Sequence, residues 1–186
     1  MTNPTGVTKP VTKPTLATVW LDGCSGCHMS FIDMDERLLE IAERADIVYS
    51  PLVDFKVYPE HVDFCLVEGA VSSEEDLHKI KMIRERTGTL ISFGDCAITA
   101  NVPGMRNPIG VQPLLDRAYL ENVALNPGVP VESVPALLPM ATPVHRVVKV
   151  DLFLPGCPPS ADLIYQSLVD LLEGRTPDTR GARFGR

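Results

Sequence analysis

Short apolar runs alternate with amphipathic segments along this chain, and the alternation limits the folds that the chain can adopt. The runs predict strands, at residues 15–21, 46–50, 62–67, 89–93 and 147–154. The amphipathic segments predict helices, of which the longest are at residues 28–45, 74–86 and 160–173. Strands that are apolar throughout, without in–out alternation, are typical of a parallel sheet covered by helices on both faces. We therefore predict an α/β fold.

The predicted elements form a single domain, residues 15–173, for which we expect a flavodoxin-like, doubly wound parallel sheet. Residues 1–14 are rich in Thr, Pro and Lys and lack an apolar period, so we expect a flexible N-terminal arm. Residues 174–186 form a basic C-terminal tail that we expect to be loose. The stretch 126–143 carries five prolines, and we expect it to lie over a partner without regular structure.

Charge and hydropathy exclude several classes of protein. The net charge is −7, which argues against nucleic-acid binding because that function needs a basic stripe. No apolar run approaches the ~20 residues that cross a bilayer, so we do not expect an integral membrane protein. The N-terminus has neither an apolar signal core nor a twin-arginine pair, which favours the cytoplasm. Cysteines there stay reduced, and they more often bind metals or act in catalysis than form disulfides.

Four of the five cysteines lie just beyond the ends of predicted strands. Cys24 and Cys27 follow the first strand, Cys96 follows the fourth, and Cys157 follows the fifth. Because loops at the carboxyl ends of parallel strands converge on one crevice, we expect these four thiols to meet at one edge of the sheet. Cys65 lies within a strand, and we expect it to be a small buried hydrophobic residue.

Four thiolates can hold a zinc ion, a [2Fe–2S] cluster or a [4Fe–4S] cluster. Structural zinc sites usually pair two short-spaced cysteine motifs, whereas this chain has a single C-x-x-C. Gly23, Gly26 and Gly156 stand next to the cysteines, where glycine lets the backbone turn tightly around a bulky group. These features favour an iron–sulfur cluster, with a zinc site and a thioredoxin-like redox pair as the alternatives.

Four motifs together resemble one known family. They are W-L-D-G-C-S-G-C at 20–27, V-E-G-A-V at 67–71, F-G-D-C-A at 93–97 and P-G-C-P-P at 155–159. The chain resembles the small subunit of [NiFe] hydrogenases and the related cluster-bearing subunit of respiratory NADH:quinone oxidoreductase. The motifs follow the family's order through most of the domain, and their combination is highly specific.

The resemblance implies one proximal [4Fe–4S] cluster, held by the four thiols of Cys24, Cys27, Cys96 and Cys157. It places Glu68, from the E-G-A motif, close to that cluster. It also implies that glycines shape the cluster loops, namely Gly23, Gly26, Gly94 and Gly156. Negative charge from Asp22, Glu68 and Asp95 would then lower the reduction potential of the cluster.

Differences from the general hydrogenase pattern indicate which type of hydrogenase small subunit this chain resembles most. Uptake hydrogenase small subunits carry an export signal and further cluster cysteines, whereas here no cysteine follows Cys157. The chain is therefore most similar to the small subunit of the soluble, cytoplasmic NAD-reducing [NiFe] hydrogenase. In that family a large subunit holds the Ni–Fe centre, and diaphorase subunits carry FMN and further clusters and reduce NAD⁺. This chain would then perform no bond chemistry and would pass electrons from the large subunit toward the diaphorase.

Other assignments stay open. The chain could serve another hydrogenase-like complex that reduces coenzyme F420, sulfur or a quinone, or it could be a zinc-stabilised interaction module. FMN in this chain is the less favoured possibility, since the loop after the first strand holds Cys24 and Cys27 in place of a phosphate cradle.

Two residues beside the cysteines have more than one interpretation. His28 could tune or ligate the cluster, but we favour a residue that starts a helix or contacts a partner. Glu68 could move protons or bind iron transiently, but we favour a hydrogen-bonded carboxylate that fixes the cysteine loops.

Overall fold

A computed structural model describes residues 13–185, and its centre is a five-stranded parallel sheet. The strands of this sheet are β1 (Thr15–Trp20), β2 (Asp46–Tyr49), β3 (Val62–Glu68), β5 (Thr87–Phe93) and β7 (Leu152–Leu154). A separate antiparallel pair is formed by β4 (Val71–Ser73) and β6 (Leu137–Thr142). The order across the large sheet is β2-β1-β3-β5-β7. Counted along the chain this is 2-1-3-4-5, the strand order of flavodoxin.

Short helices connect the strands. The α-helices are α1 (Gly26–Ile32), α2 (Arg37–Arg44), α3 (Glu74–Glu85), α4 (Asp95–Thr99), α5 (Asn101–Gly104), α6 (Val111–Asp116) and α7 (Ala161–Leu172). A π-helical turn (Arg117–Glu121) follows α6, and a 3-10 turn (Val144–Arg146) follows β6. None of the helices in the described part of the chain has the length and apolarity needed to cross a membrane.

Apolar side chains project from both faces of the sheet. Leu16 of β1 packs into a core with α1, α2 and α7, while its neighbour Ala17 packs into a second core with α3. The same alternation continues on β3, where Leu66 joins the first core and Val67 the second. Since both faces are buried, most central strand positions carry an apolar or small residue. The prediction of an α/β domain with a doubly wound parallel sheet is confirmed.

The single helix predicted over 28–45 is two helices, α1 and α2. Asp35, between them, has a φ of +51°, which a continuous helix does not permit. Met34 in the same turn is nevertheless 1% exposed. The turn therefore keeps the apolar spacing of a helix, and the sequence period alone could not reveal the break.

Two further predictions at the C-terminal half were wrong. The strand predicted over 147–154 is confined to β7, since Val147 and Val148 continue from the 3-10 turn and pack against the core from there. The stretch 126–143, predicted without regular structure, contains β6. Pro139 lies within β6, which agrees with the preference of proline for strands at a sheet edge.

Candidate metal centre

The four cysteines predicted as ligands meet at one cavity. The loops that follow β1, β5 and β7 all emerge at the carboxyl edge of the sheet, and each contributes thiols to the same cavity. Its lining comprises Cys24, Gly26, Cys27, Glu68, Asp95, Cys96, Gly156, Cys157 and Pro158. Thiols that are remote in sequence therefore converge where the topology of the sheet predicts. Cys65 does not line the cavity and is fully buried, as predicted.

The cavity has a buried side and an open side. Cys27 and Cys96 are each 6% exposed, whereas Cys24 and Cys157 are exposed. Burial raises the pKa of the Cys27 thiol, and Glu68 and the other three cysteines raise that pKa further. Burial likewise raises the pKa of Cys96. Because a metal binds the thiolate form, these buried thiols must lose protons when a metal centre forms.

The donor set fits an iron–sulfur cluster by its chemistry, since four thiols from one chain share one cavity. Across residues 13–185 no three His, Cys, Asp or Glu side chains converge closely enough to bind a single metal ion. The thiols thus line a cavity and do not already surround one point.

Glu68 ties the first cysteine loop to the end of β3. Its carboxylate, 1% exposed, accepts hydrogen bonds from the backbone N–H of Cys27 at 3.3 Å and of His28 at 3.0 Å. The same carboxylate contacts the Nδ1 atom of His28. This is the hydrogen-bonded carboxylate that we favoured from the sequence. His28 lies in the first turn of α1, which agrees with the helix-start alternative that we favoured, and at 3% exposure it offers little surface to a partner.

Asp95 ties the second loop to the third. Its Oδ1 atom accepts the Gly156 N–H at 2.8 Å, and its own N–H donates to the Gly156 carbonyl at 2.9 Å. Its Oδ2 atom accepts the N–H of Gly185, near the C-terminus, at 2.6 Å. Asp22 is outside the cavity lining, because its carboxylate accepts a hydrogen bond from Ser72 instead.

Two of the predicted loop glycines are required by geometry. A Cβ atom on Gly94, whose φ is +81°, would lie 2.1 Å from the sulfur of Cys27. A Cβ atom on Gly156, whose φ is +145°, would lie 2.5 Å from the backbone of Pro159. Gly26 and Gly23 have more room, with nearest atoms at 3.2 Å and 3.4 Å from such a Cβ.

The sequence reasoning missed three polar residues near the site. Asn101 donates from Nδ2 to the sulfur of Cys157 at 3.4 Å. Thr18 and Ser50 are buried behind His28, and Thr18 Oγ1 lies 3.0 Å from His28 Nε2. Thr18 sits inside an apolar strand, and a polar residue at a position buried on both sides was the signal that could have marked it.

Several known proteins are similar to this chain in sequence. A model of the family described as "NADH ubiquinone oxidoreductase, 20 Kd subunit" matches residues 24–171. Subunit delta of the NAD-reducing hydrogenase HoxS from Cupriavidus necator is 43% identical over 168 residues, covering 88% of this chain and 80% of that protein. One subunit of the F420-non-reducing hydrogenase vhu from Methanocaldococcus jannaschii is 38% identical, over 86% of this chain. This chain spans only 56% of that relative.

Comparison by structure agrees. A chain of an NAD⁺-reducing [NiFe]-hydrogenase crystal structure in the H₂-reduced state matches with a TM-score of 0.85 and 41% identity, over 89% of this chain and 94% of that one. A [NiFeSe]-hydrogenase of Dm. baculatum shares the fold, with a TM-score of 0.58 at 16% identity. These matches confirm the predicted resemblance and the predicted role as a subunit of a hydrogenase-type oxidoreductase. The chain belongs to the family of the NADH:ubiquinone oxidoreductase 20 kDa subunit, together with the delta subunit of the NAD-reducing hydrogenase.

Proposed function

We propose that this chain is the electron-transfer small subunit of a cytoplasmic NAD-reducing [NiFe] hydrogenase. Its cofactor would be one [4Fe–4S] cluster, held by the four thiols of Cys24, Cys27, Cys96 and Cys157. The observation that carries the proposal is the convergence of these thiols, from three separate loops, on one cavity. When bound, such a cluster accepts and releases single electrons at a potential that its surroundings set.

The residues of this chain would bind, orient and shield that cofactor. Cys27 and Cys96, which are buried, form the side of the site that excludes water. Glu68 and Asp95 hold the three loops in register through the backbone N–H groups of Cys27, His28 and Gly156. The exposed thiols of Cys24 and Cys157 lie at the open side, where a partner subunit can approach closely enough to exchange electrons.

The partners would be a large subunit with the Ni–Fe centre and diaphorase subunits that carry FMN and bind NAD⁺. The NAD-reducing relatives at 43% and 41% identity support this assignment. FMN in this chain itself is disfavoured, because Cys24 and Cys27 occupy the loop after β1 where a flavodoxin-like phosphate site would form. Accessible cysteines that must stay reduced fit the cytoplasm.

A second candidate is the equivalent subunit of another hydrogenase, which the F420-non-reducing hydrogenase relative at 38% identity favours. Purification of the native complex under anaerobic conditions separates the two. Diaphorase subunits in the complex and H₂-dependent NAD⁺ reduction are expected. A complex that lacks them and reduces another acceptor would assign the chain to the second candidate.

The cluster itself is tested by metal analysis of the same complex. We expect about four irons and four sulfides on this chain and a reducible electron paramagnetic resonance (EPR) signal. Cys96→Ser should lose the iron of this chain, whereas the matched control Cys65→Ala, which alters a buried cysteine outside the cavity, should keep it. One zinc ion and no iron on this chain would instead identify a zinc-stabilised interaction module.

A further inference from the structure

We propose that His28, Thr18 and Ser50 form a positioning chain that holds the Glu68 carboxylate at the cysteine cavity and thereby sets the reduction potential of the site. The inference rests on the proposed function, since it concerns the [4Fe–4S] cluster assigned above. It adds residues to the site that lie outside the four sequence motifs or, in the case of His28, directly after the first of them.

The positioning chain is continuous from the cavity to the loop after β2. Glu68 lines the cavity and contacts His28 Nδ1. His28 Nε2 lies 3.0 Å from Thr18 Oγ1, and Thr18 Oγ1 donates to Ser50 Oγ at 2.8 Å. Ser50 Oγ in turn accepts the backbone N–H of Leu52 at 3.2 Å. Each of these contacts is within hydrogen-bonding distance, so the network is unbroken from Glu68 to Ser50.

All four side chains of this network are buried. Thr18 is 0%, Glu68 1%, His28 3% and Ser50 4% exposed. A buried polar group that loses its hydrogen-bond partner destabilises the protein, so each of these side chains depends on its neighbour in the network. Both nitrogens of the His28 ring are engaged, one by Glu68 and one by Thr18, and the orientation of the ring is therefore fixed from both sides.

The orientation matters because the buried Glu68 carboxylate lines the cavity and accepts the backbone N–H of Cys27 at 3.3 Å. Its negative charge therefore lies directly beside one of the proposed cluster ligands. Three donors moderate the charge, namely the backbone N–H groups of Cys27 and His28 and the ring of His28. If the ring is lost or turned away, more of the negative charge acts on the cavity. Electron uptake there becomes less favourable, which means a more negative potential.

The first test compares two variants of His28 in the purified complex. His28→Leu removes both ring contacts, and we expect the midpoint potential of the EPR signal of this chain to become more negative. His28→Asn keeps an amide N–H near the position of Nδ1, and we expect the potential to return toward the wild-type value. Iron and sulfide are measured in each sample, so that the potential is compared only between fully loaded proteins.

The second test acts one residue further from the cavity. Thr18→Val keeps the side-chain volume but removes the hydroxyl, and we expect a smaller shift in the same direction, which Thr18→Ser should reverse. Ser92→Ala is the matched control, because Ser92 is also buried in the sheet but its hydroxyl has no hydrogen-bond partner among the described residues. The control should leave the potential unchanged.

The outcomes separate this inference from the proposed function. Wild-type complex without iron on this chain would refute the proposed function. Loaded His28→Leu with an unchanged or higher potential would overturn only the positioning chain. If His28→Leu does not bind the cluster, the two Thr18 variants provide the test. Equal midpoint potentials in cluster-loaded Thr18→Val and Thr18→Ser would overturn the positioning chain. If Thr18→Val also does not bind the cluster, the midpoint potential of Ser50→Ala is compared with wild type, since Ser50 is the side chain of the network that lies furthest from the cavity.

Discussion

At the scale of single residues, the cysteine site requires a residue without a side chain at Gly94. A Cβ atom there would overlap the sulfur of Cys27, at 2.1 Å. The backbone adds a second constraint, since a φ of +81° with a ψ of 165° is a conformation used almost only by glycine and costs other residues about 1–3 kcal/mol. The space for a metal centre beside Cys27 therefore depends on glycine at this position.

The expected result for Gly94→Ala is a large loss of bound iron together with a lower unfolding temperature. The Cys27 side chain must move away from the new methyl group, and the loop must accept an unfavourable φ. Iron and sulfide analysis and thermal unfolding of the complex measure both effects. Gly128→Ala is the control, because nothing lies within 4 Å of a Cβ at Gly128. Full iron content in Gly94→Ala would show that the loop adapts and that the overlap is unimportant.

The position of a residue in the fold could be predicted where it depends on the order of strands and loops along the chain. It could not be predicted where it depends on a contact between distant segments. Cys24, Cys96 and Cys157 could be placed together because each follows a recognisable strand. The pairing of His28 with Glu68 joins residues 40 positions apart, and no local pattern encodes it. His28 lies on an amphipathic segment, so the sequence indicated a helix there but not its buried partner.

At the scale of elements, helix ends are specified more clearly than the pairing of short strands. The N-cap of α3 is Ser73, directly before the amphipathic segment predicted over 74–86, and serine is a residue type that favours this position. The β4–β6 pair, in contrast, joins strands of which one contains Pro139 and neither has a long apolar run. Hydrogen bonding between distant segments decides such a pair, and propensity contributes little.

Ser73→Ala should destabilise the protein by about 1 kcal/mol, within the range known for lost N-caps. Ser73 Oγ accepts the Asp76 N–H at 3.1 Å, and the Asp76 carboxylate accepts the Ser73 N–H at 3.0 Å in return. Ser160 at the start of α7 makes a single cap bond, to the Leu163 N–H at 3.3 Å. Ser73 is buried and Ser160 is exposed, so water replaces the lost cap bond more easily at Ser160. Chemical denaturation should therefore show a larger loss for Ser73→Ala than for Ser160→Ala. Equal losses would mean that burial of the cap does not matter.

Asp151 gives the connection between α3, β5 and β7 a defined dependence on pH. Burial opposes ionisation of this carboxyl, but the Leu90 N–H, at 2.9 Å, and the Arg84 guanidinium outweigh that effect and lower its pKa. A lowered pKa means that the folded state holds the ionised form. The stabilisation is therefore complete above the ordinary aspartate pKa of ~4 and is lost as the pH falls through the lower folded-state pKa.

Asp151→Asn should accordingly cost about 1 kcal/mol at pH 7, a value reduced from that of a buried ion pair because the carboxyl is partly exposed. The amide can still accept the Leu90 N–H but carries no charge for Arg84. Denaturation curves for both proteins across pH 3–7 measure the difference, and we expect it to shrink as the pH falls below ~4 toward the lowered pKa of Asp151. A difference that stays constant with pH would show that packing, not charge, is responsible.

At the scale of the whole molecule, the topology brings the site together and the far end of the chain closes over it. Loops after β1, β5 and β7 supply thiols because parallel strands place their carboxyl ends at one edge. The sequence predicted that edge, since it depends only on strand direction. It did not predict that Gly185 reaches Asp95, because residues 175–185 carry no strand or helix whose pattern could indicate where they pack.

Ending the chain after Gly174 should make bound iron easier to remove, by several-fold in the rate of transfer to a chelator. The truncation deletes the Gly185 N–H that bonds Asp95, and it deletes tail residues that line a pocket together with Pro155 and Pro159, close in sequence to Cys157. Asp95 would keep its bonds to Gly156, so we expect the cluster still to assemble and its iron content to remain normal at the start. The rate is measured under anaerobic conditions from the absorbance of the iron–chelator complex as it forms. Arg180→Ala is the control, because its ion pair is with Asp178 within the tail, and equal rates for truncated and full-length complexes would show that the tail does not shield the site.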